Sequence, residues 1–89
     1  MSATNKEFGE PIESWKGSGK FDSKGREIGF IVGFNDNGED FRAWVQAGRR
    51  TAHDFHDFGV RQRSKGFKSQ EEAARWAWRT ANERITALA

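Results

Sequence analysis

The stretch from Arg26 to Arg50, REIGFIVGFNDNGEDFRAWVQAGRR, decides the fold. Two arms flank Asn37-Gly38. On the first, Ile28, Phe30, Val32 and Phe34 alternate with Gly29, Ile31 and Gly33. On the second, Phe41, Ala43, Val45 and Ala47 alternate with Arg42, Trp44 and Gln46. Period-two alternation on both sides of an Asn-Gly dipeptide is the strongest short-range signal for a β-hairpin. A two-residue turn there pairs Phe34 with Phe41, Val32 with Ala43, Phe30 with Val45 and Ile28 with Ala47, all on one face. That register sets Asp36 against Glu39, an unfavourable like-charge pair. A four-residue loop, Asn35 to Gly38, removes the clash and pairs Phe34 with Glu39 instead. The two registers differ by two residues, so the faces are the same in both. The opposite face carries two glycines on one arm beside Trp44 on the other. An indole laid across strand glycines covers them and leaves an aromatic platform.

Outward from the hairpin, residues 15–26 hold three glycines and the cations Lys16, Lys20, Lys24 and Arg26. Gly19-Lys20 is followed by Phe21-Asp22 with no helix behind it, so the loop is no phosphate-binding P-loop. It reads as a short strand, Ser18 to Asp22, turning at Lys24-Gly25, with Phe21 opposite Ile28. Downstream, residues 59–68 read as a last strand. With Phe58 and Val60 facing the core, Arg61, Arg63 and Lys65 join Arg42 and Trp44 on the outer face. Ser69 opens a helix: Ser69 with Glu72 is a capping box, and Glu71 and Glu72 suit the helix N-terminus. Ala74, Trp78, Ala81, Ile85 and Leu88 form an apolar stripe with Ala77 at its edge. Trp76 falls on the far side of that helix, with Ala73, Thr80 and Ala87. The expected architecture is α+β: a three- to four-stranded antiparallel meander packed on one face by a single C-terminal helix. Residues 1–14 read as a flexible N-terminal arm and 15–89 as one domain.

Composition narrows the function. The chain has 89 residues, eight Phe, four Trp and no cysteine, so aromatics supply the core and no disulfide or thiolate chemistry exists. No apolar run approaches a membrane span and no secretory leader opens the chain, so the expected location is cytoplasmic. The net charge is only +2, but it is unevenly spread. Lys6 stands against Glu7, Glu10 and Glu13 in residues 1–14. Residues 48–68 carry Arg49, Arg50, Arg61, Arg63, Lys65 and Lys68 against Asp54 and Asp57. A basic segment in a near-neutral domain points to an anionic partner. His53 and His56 are three apart, a spacing that on a helical turn can share a metal. No third ligand accompanies them, so residues 49–58 read as a polar turn anchored by Phe55 and Phe58. No metal, no cofactor and no catalytic set is expected.

The run Lys65-Gly66-Phe67-Lys68-Ser69-Gln70-Glu71-Glu72-Ala73-Ala74-Arg75-Trp76-Ala77 resembles the last-strand-into-helix segment of the plant ethylene-response-factor DNA-binding domain. It is also similar to the arm-binding domains of tyrosine recombinases. Gly59-Val60-Arg61-Gln62-Arg63 matches a phrase of the plant family, where it belongs to the first strand rather than to the approach to the helix. The resemblance implies a sheet face laid in a DNA groove, with Arg61, Arg63 and Trp44 as contacts. The strand-strand-strand-helix order also resembles the double-stranded-RNA-binding domain. That family presents lysines at the start of its last helix, where this chain has Gln70, Glu71 and Glu72.

Two expectations of function follow. One is a non-enzymatic module binding nucleic acid through the outer sheet face, with Arg42, Trp44, Arg49, Arg50, Arg61, Arg63 and Lys65 as contacts. The alternative is a protein-interaction module, with Trp76 on an exposed helix face meeting a protein partner or a second copy of the chain. Neither involves a membrane.

Overall fold

The computed structural model describes residues 12–36, 38–50 and 56–89. Strands β1 (Ile12–Phe21), β2 (Glu27–Asp36) and β3 (Phe41–Arg50) form an antiparallel meander. A fourth strand lies along the far edge of β3 in two pieces, β4 (His56–Phe58) and β5 (Gln62–Arg63). Helix α1 (Gln70–Leu88) packs across β2 and β3. The architecture is the expected α+β one. The first strand is longer than its sequence pattern indicates: it begins at Ile12, so positions 12–14, read as arm, lie in the sheet. Phe21 pairs with Glu27 rather than Ile28 and is exposed, not a core residue.

The hairpin register differs from both expected ones. Phe34 pairs with Ala43, Val32 with Val45, Phe30 with Ala47 and Ile28 with Arg49. The loop is therefore 37–40, with Gly38 at φ 84°. This register takes Glu39 and Asp40 out of the ladder, and Asp36 faces Phe41 rather than an acid. The offset from each expected register is an even number of residues, so the faces survive. Ile28, Phe30, Val32, Ala43, Val45 and Ala47 are all buried.

The helix meets that face through its small residues. Ala73, Ala74, Ala77, Thr80, Ala81 and Ile85 are buried, and Ala77 sits at the middle of the strip. Trp76 and Trp78, about 100° to either side, are both half-buried and pack on the flanks of the core. Trp78 meets Phe30 edge-on, 5.6 Å between centroids at 86°. The stripe is thus turned toward Ala77 relative to the sequence reading, and Trp76 does not lie on an exposed far face. Small residues allow the helix axis to approach the sheet closely, and the two indoles then fill the diverging space on each side. At the helix start, Ser69 Oγ accepts the Glu72 amide at 3.2 Å, and Glu72 reaches back to the Lys68 amide at 3.3 Å.

The β1–β2 turn is held by an aspartate. Asp22 Oδ1 accepts the Lys24 and Arg26 amides, both at 2.9 Å. Its Oδ2 lies 2.8 Å from Arg26 Nε and 3.0 Å from Arg49 Nε. Gly25, at φ 77°, closes the turn on the Asp22 carbonyl. The Arg26 amide bond leads the contacts that hold the Asp22 carboxyl below the usual carboxylate range, against the opposing effect of burial.

Candidate nucleic-acid interface

The outer face of the sheet is organised by two glycine–tryptophan pairs. A Cβ on Gly33 would overlap Cε2, Cζ2 and Nε1 of Trp44, and one on Gly29 would overlap the same three atoms of Trp15. Overlap with three adjacent ring atoms means that each indole lies over its glycine with a face toward the backbone. Neither glycine has a positive φ, so the ring, not the backbone, requires glycine there. Trp44 reaches β2 from β3 and Trp15 reaches it from β1, and half-buried Ile31 stands between the two covered glycines.

The upper face of Trp44 carries Arg61, whose guanidinium carbon is 3.8 Å from the ring centroid. The result is a three-layer stack of Gly33 backbone, indole and guanidinium. Arg61 arrives there through a β-bulge. Gly48 pairs with Phe58 and the Gly59 amide bonds to the Ala47 carbonyl at 3.1 Å, but Val45 pairs with Gln62. One extra residue thus sits on the edge strand opposite Gln46, whose amide is held by the Gly59 carbonyl at 3.0 Å. The bulge also sets the face of Arg63. In unbroken register, Arg63 would stand opposite Ala43 on the core face; with the bulge it stands opposite Trp44. Val60, expected to face the core, is 93% exposed in the bulge.

The expected contact residues separate into groups. Trp44, Arg61 and Arg63 come together on the outer face. Arg42 is on that face, but it donates to both oxygens of Asp40 at 3.0 and 3.1 Å. That carboxylate raises the Arg42 pKa, by hydrogen bonding first and charge second. Arg50 stands opposite Glu27 on the same face. Arg49 does not belong to the set: it pairs with Ile28 on the core face and its guanidinium goes to Asp22. Lys65 is drawn away as well, its Nζ 5.5 Å from the Phe67 ring, in a groove shared with Trp76. Among the described residues Arg61 and Arg63 make no ion pair. Trp76, the expected protein contact, is packed beside Phe67 against the core, which removes the reason for assigning it to an interface.

Trp15, considered from sequence only as cover for the sheet that would count against a nucleic-acid surface, is absent from the expected contact set. Its signal was present: Gly29 and Gly33 lie four apart on one face, and each has an indole available from a neighbouring strand. His53 and Asp54 lie outside the described residues, as do the side chains of His56 and Asp57. Among the described residues no cluster of three metal-ligating side chains occurs, and no helix is long and apolar enough to cross a membrane.

Comparison with protein-family models, curated proteins and solved structures returns no match for this chain. The likeness to DNA-binding domains therefore rests on the two sequence phrases alone.

Proposed function

We propose that the chain is a non-enzymatic binding module that takes nucleic acid on the outer face of its sheet. The observation that carries this reading is the stack of Arg61 on Trp44, with Arg63 directly across the strand pair. An indole face stacks on bases and the two arginines neutralise phosphates. Arg42 and Arg49 contribute little charge, since each already has a carboxylate at 3.0 Å.

The test is a titration of labelled DNA and RNA at low and moderate salt. Two phosphate contacts give a slope of log K against log salt of about −1.4 on a single strand, whereas all six expected cations would give about −4.2. Binding at low salt with the shallow slope is the expected outcome. No binding at low salt, or an affinity indifferent to salt, refutes the reading.

A further inference from the structure

Resting on that reading, we infer that the site does not end at the outer face. The nucleic-acid strand continues over the β5 edge into a groove beside α1, where Lys65 and Arg79 take further phosphates. The protein chain makes the same crossing. Arg63 stands opposite Trp44 on the outer face. In unbroken register Gly66 would then face Phe41, but Phe67 does: the Phe41 amide donates to the Phe67 carbonyl at 2.9 Å, and the Phe67 amide to the Phe41 carbonyl at 2.7 Å. One further residue is let in between Arg63 and Phe67. A shift of one changes the face of everything after it, so Phe67 packs with the core on the helix side. Lys65 lies midway through the crossing, two residues and about 7 Å of strand from Arg63.

The groove has a volume of about 310 Å³ and is lined, among the described residues, by Lys65, Phe67, Glu72, Arg75, Trp76 and Arg79. Phe67 and Trp76 are half-buried and give it an aromatic wall. Its charges are three cations against one carboxylate. Arg75 is engaged by Glu71 at 3.9 Å, and Glu72 accepts the Lys68 amide. Lys65 and Arg79 are exposed and make no ion pair among the described residues. A volume at the low end for ligand pockets admits a nucleotide-sized group, not a duplex. An acidic peptide would suit the groove alone. The cations, however, continue those of the outer face: Arg61 and Arg63 there, Lys65 at the edge, Arg79 beyond it. A flexible chain of phosphates is the ligand that uses all four. A duplex, with a persistence length of about 50 nm, does not follow a turn around one strand edge.

The experiment compares labelled oligothymidylates of about 5 and about 15 nucleotides, near the two ends of single-strand site sizes. Anisotropy is followed from 50 to 200 mM salt. The salt slope is the readout, because a longer strand gains affinity merely by offering more registers. With Arg61 and Arg63 alone, the short strand has a slope of about −1.4 and loses about 7-fold in affinity over that range. Lys65 and Arg79 bring the long strand to about −2.8, a loss of about 50-fold. Joint Lys65→Gln and Arg79→Gln substitution returns the long strand to about −1.4 and leaves the short strand unchanged. Lys65→Arg with Arg79→Lys, which keeps both charges, retains the steep slope. Circular dichroism of each variant separates lost binding from lost folding. Equal slopes for the two lengths, or a glutamine variant that binds the long strand as the parent does, overturns this inference and leaves the outer-face reading standing. A polyglutamate peptide that binds the parent and not the glutamine variant, with both strands unaffected, assigns the groove to an acidic protein and also overturns it. If neither strand binds at low salt, both readings fall together.

Discussion

Replacing Gly33 by alanine tests the central geometric claim without any ligand. The backbone at Gly33 accepts an L-residue, since its φ is not positive. The added methyl runs into the Trp44 ring, so the indole must lift and Arg61 with it. Overpacking of this kind costs about 1–3 kcal/mol. Restricting the unfolded chain by removing a glycine returns about 0.4–1 kcal/mol. The net loss is therefore about 1 kcal/mol, a fall in Tm of about 4–8 °C for a domain of this size. In a Trp44→Ala background the ring is gone and only the favourable part remains, so the same substitution should stabilise by about 0.4–1 kcal/mol. The assay is urea unfolding of the four proteins, followed by far-ultraviolet circular dichroism because the fluorophore itself is changed. The expected coupling is about 1–3 kcal/mol, the overpacking that only the ring makes unfavourable. If Gly33→Ala has the same effect in both backgrounds within about 0.5 kcal/mol, the limit of additivity for independent sites, the ring does not lie on the glycine and the platform is wrong.

Asp22 makes stability depend on acid: its lowered carboxyl contributes fully above its unfolded value near ~4 and loses that contribution as pH falls through the folded value. Asp22→Asn should therefore lower the urea midpoint at neutral pH and flatten its decline as the pH falls below about 4; parallel declines in the two proteins would exclude Asp22 as the source. Ser69→Ala removes the acceptor for the Glu72 amide and should cost about 1 kcal/mol in urea unfolding. Trp76→Ala should cost about 2 kcal/mol, near half of a fully buried Trp→Ala because the ring is half-buried, and sedimentation should show no change of size; a change of size without loss of stability would return Trp76 to an interface.

The hairpin was legible because parity is a robust quantity. Three different registers share one buried face, so Ile28, Phe30, Val32, Ala43, Val45 and Ala47 were identified even though their partners were not. The helix face was misplaced for a physical reason. A wheel weighted by hydrophobic size centres on Trp78, whereas contact with a sheet centres on the residues that permit close approach, here Ala73, Ala77 and Ala81. Arg49 was misassigned because the pairing of Ile28 with Arg49 puts it one step along the core face, where Asp22 meets it. That contact joins positions 27 residues apart in sequence, and no local pattern announces it. The bulge at residues 59–61 was equally silent. Simple alternation still put Arg63 on the outer face, though it arrives there by a different route.

The two glycine–tryptophan pairs are hard to explain as cover for the sheet. Valine or isoleucine at positions 29 and 33 would shield the same backbone and suit a strand better, by up to about 1 kcal/mol at each position. A tryptophan beside such a residue would stand on edge and expose its rim. Glycine is the choice that lets the indole lie flat, which buries one face of the ring on the β2 backbone and turns the other away from it. At Trp44 that face already holds a planar cation at 3.8 Å, carried there by a bulge that interrupts an otherwise regular edge strand. Glycine and the bulge each weaken a simple sheet, and with the indole and the arginine they converge on one ring. Their combined effect is an indole laid over Gly33 with a guanidinium stacked on it, and the nucleic-acid proposal stands or falls with that arrangement.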